Sequence, residues 1–338
     1  MYRKAQITAF GGPEVLEIRD EGMPPEPGPG QVRVKTLAAG VAFTDIMIRK
    51  GEYPDVKQDP PFTPGYDLVG EIDQLGPGVD RFQVGDRVAE LTVIGAQADY
   101  VCLDAERLVP VPRNLDPVQA VSLVLSYTTA YQMLTRKADL QAGDRILVHG
   151  AGGAVGTALV QLGKYFDLEV YGTGSTSKQD LIAALGAHPI DYQREDFVRV
   201  LKNLPEPGVD AAFDHLGGDH FKRSLDSLRR SGSLVAYGFY DATMGKGGSA
   251  VLDFTRLFLW NLIPNGKSAS FYSIGSWRKK HPDWFQQDLR NLFELGSVGE
   301  IQPVIWKAIT LEELPQAHRW IAQAESQGKI VVDFQAGR

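Results

Sequence analysis

The sequence predicts an α/β chain of two domains, a β-barrel domain and a doubly wound domain built on a six-stranded parallel sheet. Three observations carry this expectation. At 338 residues the chain exceeds what one hydrophobic core usually serves. Its first third strings short β-rich runs between Gly and Pro, and from about Leu115 strand-like and helix-like segments alternate. Within the alternating part, Arg145-Ile-Leu-Val-His-Gly-Ala-Gly-Gly-Ala-Val-Gly156 reads as a short apolar strand, a glycine turn and the start of a helix.

In chain order, the barrel strands fall at Val32–Ala38, Asp67–Leu75, Arg87–Leu91, Asp99–Leu103 and Arg107–Val111. Turns such as Pro27-Gly-Pro-Gly30, Gly76-Pro-Gly78 and Val84-Gly-Asp86 separate them. Helices follow at Pro117–Ser122 and Tyr127–Ala138. The parallel sheet is assigned Arg145–His149, Glu169–Thr173, Pro189–Asp191, Ala211–Asp214, Ser233–Gly238 and Ser268–Ile274. Helices near Asp283–Leu295 and Leu311–Ser326 and a strand Lys329–Phe334 close the chain. The expected division is 126–274 for the doubly wound domain, with 1–125 completed by 275–338 for the barrel.

Composition bounds the function. With 43% hydrophobic and 23% charged residues and a formal net charge of −7, the chain is an ordinary globular protein without a basic footprint. By bulk electrostatics neither nucleic acid nor an anionic membrane surface is therefore expected as a partner. The N-terminus lacks an apolar leader core, and no apolar run approaches the ~18 residues of a spanning helix, so a cytoplasmic protein with no integral membrane segment is expected. The single cysteine, Cys102, rules out an internal disulfide and a Cys-rich metal site; in the apolar run Tyr100-Val-Cys-Leu103 it reads as an inert thiol.

The glycine run carries chemistry. Gly150, Gly153 and Gly156 recur every third residue, letting the backbone turn tightly and approach a pyrophosphate, while the N–H groups of Ala154, Val155 and Gly156 open a helix toward the anion. In NAD-preferring folds of this type an acid ends the second strand and binds the ribose 2′-OH. Here that strand runs into Gly172-Thr-Gly-Ser-Thr-Ser-Lys178, with no carboxylate. Gly174, Ser175 and Lys178 suit a 2′-phosphate, which needs donors and a cation; the same hydroxyls also suit a helix cap. NADPH is the expected cofactor.

The order of parts resembles the medium-chain dehydrogenase/reductase superfamily over nearly the whole chain, and within it the zinc-independent quinone oxidoreductases and vesicle amine transport protein homologues. The resemblance rests on Gly40-Val-Ala-Phe-Thr-Asp45, Ile48-Arg-Lys-Gly-Glu-Tyr53, Thr63-Pro-Gly-Tyr-Asp67, Ser126-Tyr-Thr-Thr-Ala-Tyr131, the Gly172–Lys178 segment, His188-Pro-Ile-Asp-Tyr192 and Asp214-His-Leu-Gly-Gly218. It implies a GroES-like catalytic barrel, a Rossmann domain, and a hydride transfer from NADPH to a quinone or α,β-unsaturated carbonyl, a small electrophilic acceptor. Enoyl-thioester reduction and a noncatalytic, NADPH-binding regulatory or vesicle-associated role are the alternatives. A homodimer is expected through the open edge of the strand Ser268–Ile274.

The same resemblance assigns residues. Where zinc alcohol dehydrogenases place cysteine, histidine and cysteine ligands this chain has Ala42, Tyr66 and Leu125, which cannot form a tetrahedral zinc site, so no metal is expected. Quinone reductases usually carry Asn at the position of Ala42, which weakens quinone as the acceptor. Tyr53 is the candidate proton donor, with a packed aromatic as its other reading. Thr129 stands by the nicotinamide, Lys178 and Tyr192 at the 2′-phosphate, Leu216, Tyr237 and Phe239 along the cofactor; an ordinary apolar strand end explains Tyr237 and Phe239 nearly as well, and a strand-end aromatic is the other reading of Tyr192. Asp45 and Arg49, four apart, read as a pair across one helical turn. His149 reads as a satisfied core residue, and no histidine shows metal-ligand spacing.

Overall fold

Seven strands open the chain: β1 (Tyr2–Ile7), β2 (Leu16–Glu21), β3 (Gln31–Val41), β4 (Leu68–Leu75), β5 (Arg87–Glu90), β6 (Tyr100–Asp104) and β7 (Val109–Pro110). Six more follow, β8 (Arg145–Val148), β9 (Glu169–Gly174), β10 (His188–Asp191), β11 (Val209–Asp214), β12 (Leu228–Ala236) and β13 (Ser268–Phe271). The last two are β14 (Ile305–Ile309) and β15 (Lys329–Asp333). This computed structural model describes residues 1–336. The chain forms two compact units, Thr129–Pro282 and the remainder, Met1–Thr128 with the segment from Asp283 onward.

The first unit is organised around β3. Its first half pairs with β6 and its second half with β15, while β4 runs along the other side, in a seven-stranded sheet ordered β14-β15-β3-β4-β5-β7. Register shifts at Arg33/Val34 and Thr36/Ala38 bend β3 and let one strand serve both partners, the usual effect of a bulge. Val32, Val34, Leu68, Ile72, Val88, Ile330 and Val332 fill the interior. β1 and β2 form a separate antiparallel pair, and β14 adds an edge to β15; none of the three is evident from sequence periodicity.

The second unit is a parallel sheet in the order β10-β9-β8-β11-β12-β13. The order reverses between β8 and β11, which makes the crevice beyond their C-terminal ends the place where such sheets bind ligands. The expected six strands are all present. The last is shorter than the sequence suggests: it stops at Phe271 because the Ser273 hydroxyl accepts the Ser276 N–H and starts the helix Ile274–Lys280. The expected helix Tyr127–Ala138 belongs to a longer helical run from Pro117 to Lys137 with π-type turns at Leu123–Tyr127 and Met133–Lys137. The helix Ala250–Trp260, which the sequence reading did not place, leaves Val251, Leu252 and Phe258 exposed, with Leu262 and Ile263 beyond its end.

No helix among the described residues is long and apolar enough to cross a membrane. Cys102 is half-buried, its Sγ 3.6 Å from the Pro25 carbonyl oxygen, and burial pushes its thiol above the ordinary value.

Candidate functional site

The glycine loop follows β8 at the reversal of strand order. Gly150 has φ 62°, a left-handed conformation that favours glycine, and a Cβ there would stand 2.6 Å from His215 Cε1. The loop is tied to β9 by the Ala151 N–H on the Thr173 carbonyl at 2.9 Å. Gly153 caps the helix Ala154–Tyr165 without a side chain, so nothing from the cap occupies the space in front of the first-turn N–H groups of Ala154, Val155 and Gly156. Beneath the loop, His149 is fully buried and satisfied: Nδ1 meets Thr173 Oγ1 and Nε2 meets Ser224 Oγ, each at 3.0 Å. Burial holds this imidazole neutral, far below its ordinary value.

The end of β9 brings the expected phosphate residues together. Gly174 accepts from the Tyr192 N–H at 3.2 Å, Ser175 starts the turn Thr176–Lys178, and the Lys178 stem lies across the loop, so that a Cβ on Gly152 would stand 2.8 Å from Lys178 Cδ. Lys178 is half-buried and its ammonium is lowered by that burial; Tyr192 is 56% exposed. Ser175, Lys178 and Tyr192 thus stand at or just beyond the ends of the neighbouring strands β9 and β10, and hydroxyls with a cation are groups that a phosphorylated ribose can use. One residue was not anticipated. Asp191, at the end of β10, reaches this loop and accepts the Thr176 hydroxyl at 2.5 Å and the Gln193 N–H at 3.0 Å, with Arg194 Nε 3.5 Å away. The pairing of β10 beside β9 brings it there, and no residue spacing announces that.

On the other side of the loop, Leu216 donates its N–H to Asp214 Oδ1 at 2.8 Å. Asp214 also accepts from Ser224 and contacts His220, and His149 and His220 help hold its carboxyl well below the usual range against the cost of burial. His215 lies between Gly150 and Tyr237, whose hydroxyl is 3.4 Å from Nδ1; burial, with Lys178 and His220 nearby, brings this imidazole down to about 4. Phe239 stacks on Phe271 at 4.9 Å and packs against the core cluster, a contact that by itself accounts for the residue. Thr129 is buried on the helix Thr128–Gln132 and makes none of these contacts.

In the first unit, Tyr53 lines a pocket of about 470 Å³ with Phe10, Val56 and Lys57, and its hydroxyl lies 2.5 Å from that of Tyr66. Nearby, Asp45 and Asp67 are both fully buried. Lys329 Nζ stands 3.5 Å from Asp67 Oδ2. Asp45 accepts the Ala42 N–H at 2.8 Å, and burial pushes its carboxyl up to about 7. The expected Asp45–Arg49 pair is not formed: Asp45 turns back to cap its own helix, while Arg49 donates to the Gly11 carbonyl at 3.1 Å and contacts His318 Nδ1 at 3.2 Å. Ala42, Tyr66 and Leu125, the positions that would serve zinc, offer a methyl, a phenol engaged with Tyr53 and an isobutyl group; this donor set does not fit the metal. Among the described residues, the one grouping of potential ligands is His149, Asp214 and His220, whose ligand atoms serve the hydrogen bonds already given.

Residues 28–113 match the alcohol dehydrogenase GroES-like domain and residues 185–332 the zinc-binding dehydrogenase domain. The chain is 34% identical to a quinone oxidoreductase of Pseudomonas aeruginosa, covering 98% of this chain and 99% of the relative. It is 31% identical to a 2-haloacrylate reductase of a Burkholderia species, covering 99% and 100%. The chain belongs to the medium-chain dehydrogenase/reductase superfamily. Among solved structures, this superfamily member is similar to the Escherichia coli quinone oxidoreductase complexed with NADPH, with TM-score 0.86, 25% identity and coverage of 97% and 99%. The barrel and the six-stranded parallel sheet are those of the superfamily; the zinc-binding dehydrogenase match, residues 185–332, includes none of Ala42, Tyr66 and Leu125.

Proposed function

We propose that the protein is a cytoplasmic, homodimeric, zinc-independent oxidoreductase that uses NADPH to reduce quinones or α,β-unsaturated carbonyls. The observation that carries the reading is Ser175 and Lys178 at the end of β9, beside a helix start with no side-chain cap, while the one carboxylate that reaches this loop, Asp191, is taken up by the Thr176 hydroxyl, the Gln193 N–H and Arg194. Bound NADPH supplies hydride from nicotinamide C4. The backbone N–H groups of Ala154, Val155 and Gly156 hold the pyrophosphate, and Lys178, Ser175 and Tyr192 hold the 2′-phosphate. Leu216 and Tyr237 border the remainder of the cofactor. Tyr53 donates to the acceptor's carbonyl oxygen, whose basicity grows as the carbon skeleton is reduced, so the bond strengthens in the transition state. Without a Lewis acid, acceptors already activated by conjugation are favoured.

The experiment is NADPH consumption against a panel of quinones, enones and enoyl thioesters, with NADH in parallel. Turnover of quinones or enones with NADPH preferred supports the reading. Turnover of thioesters alone moves the protein to enoyl-thioester reduction, and cofactor binding without any turnover makes it a noncatalytic NADPH-binding protein.

A further inference from the structure

Tyr66 is fully buried, and among the described residues its hydroxyl meets Tyr53 at 2.5 Å, the rings standing edge to face with centroids 5.7 Å apart. A hydroxyl carries one proton and two lone pairs. If Tyr66 accepted, its own proton would be buried without an acceptor; if it donates, only a lone pair is left over, which costs far less. Tyr66 is therefore the donor. The Tyr53 proton is then not used in that bond, and Tyr53 borders a pocket. Burial pushes both phenols up, Tyr53 to about 12, and the hydrogen bond from Tyr66 acts on Tyr53 in the opposite sense.

We propose that Tyr66 is the positioning residue of Tyr53: it aims the Tyr53 O–H at the acceptor and supports the phenolate that proton transfer leaves behind. The inference rests on the reading of Tyr53 as proton donor. Hydride enters at the β-carbon of the conjugated acceptor, the C=C pair becomes the double bond between the α-carbon and the carbonyl carbon, the C=O π pair moves to the oxygen, and the Tyr53 proton joins that oxygen to give the enol. The O–H bond of Tyr53 breaks, its phenolate keeps the electron pair and accepts from Tyr66, and a proton from water restores it. NADPH is oxidised by two electrons and the acceptor reduced by two. The arrangement lowers the charge that Tyr53 must bear alone, which matters most for acceptors whose product oxygen is strongly basic.

The test is a double-mutant cycle on an enone with NADPH, using Tyr53→Phe, Tyr66→Phe and both together, with thermal melting as the check on folding. Tyr66→Phe is expected to lower kcat about 10-fold with KM for NADPH unchanged, and to change nothing further when Tyr53 is already Phe. Tyr66→His, which keeps an N–H donor, is expected to retain more of kcat than Tyr66→Phe, and Tyr66→Met replaces Tyr66→Phe if that variant does not fold. The same loss with and without the Tyr53 hydroxyl, or no loss at all from Tyr66→Phe while Tyr53→Phe is slow, overturns the inference and leaves the proposed function standing. A silent Tyr53→Phe removes the donor reading itself.

Discussion

The stem of Lys178 crosses Gly152 closely enough that a single added methyl would stand 2.8 Å from Lys178 Cδ. The glycine loop thus also sets where the Lys178 ammonium stands, the cation that the proposed function puts at the ribose 2′-phosphate. Lys178→Ala is expected to cost NADPH at least tenfold in affinity, roughly 1.5–3 kcal/mol for a charge-assisted contact, and NADH almost nothing. Gly152→Ala displaces the stem and is expected to shift the ratio in the same direction by less. Isothermal titration with both cofactors decides; equal affinities in the wild type would remove the 2′-phosphate site.

Tyr53→Phe is expected to lower kcat on an enone by about 10- to 1000-fold with NADPH affinity nearly unchanged. A strongly electrophilic quinone should lose less, since its oxygen asks less of a donor. Steady-state kinetics on the two substrate classes measure this, and wild-type rates on every acceptor would reduce Tyr53 to packing.

Asp45 gives stability a pH dependence of known sign. Its carboxyl is raised from an ordinary 3.8 to about 7 by burial, so between those values the folded chain holds a proton that the unfolded chain has released. Its contribution is complete below about pH 4 and is lost as pH rises through 7, by as much as about 4 kcal/mol. Asp45→Asn keeps an acceptor for the Ala42 N–H and removes the ionisation. Denaturant unfolding at pH 4 and pH 7.5 should show the variant gaining on the wild type as pH rises; parallel curves would mean that Asp45 ionises at its ordinary value.

Chelation is expected to leave turnover unchanged, because Ala42, Tyr66 and Leu125 supply no ligand atom fit for zinc. Elemental analysis that finds one zinc per chain, with activity lost on its removal, would contradict this.

β13 ends the parallel sheet with an open edge, and the helix just before it exposes Val251, Leu252 and Phe258. Both are liabilities in a solitary chain and assets at a twofold interface. Light scattering is expected to give twice the chain mass of 37.1 kDa, and Phe258→Glu to lower it. A wild-type mass near 37.1 kDa at micromolar concentration would exclude the dimer.

The parallel sheet is legible in the sequence because short strands alternate with helical segments and its central strands hold apolar runs, as in Ile146–Val148 before Gly150 and Ala211–Phe213 before Asp214. β1 and β14 are not, because Tyr2–Ile7 and Ile305–Ile309 are half-exposed and carry polar residues within short spans. The glycine loop and Lys178 lie in stretches whose spacing is itself the signal. Asp191 at Thr176 and Tyr66 on Tyr53 depend on strand neighbours and on a Pro-rich loop between positions 53 and 66, relationships that no local period encodes. Arg49 meets Gly11 and His318 in place of Asp45, partners that lie 38 and 269 positions away in the chain.

The ion pair of Lys329 with Asp67 joins residues 262 positions apart, and β15, which brings the lysine, also covers the second half of β3. During synthesis the unit Thr129–Pro282 has all of its parts once Pro282 has left the ribosome, whereas the barrel unit must wait for the last strand. Until then β3 keeps an unpaired edge and Asp67 lacks its cation, a state open to chaperones and proteases. A chain that stalls or ends before Lys329 would therefore carry a finished parallel sheet on an unfinished barrel, and loss of β15 would leave β3 and Asp67 without their partners.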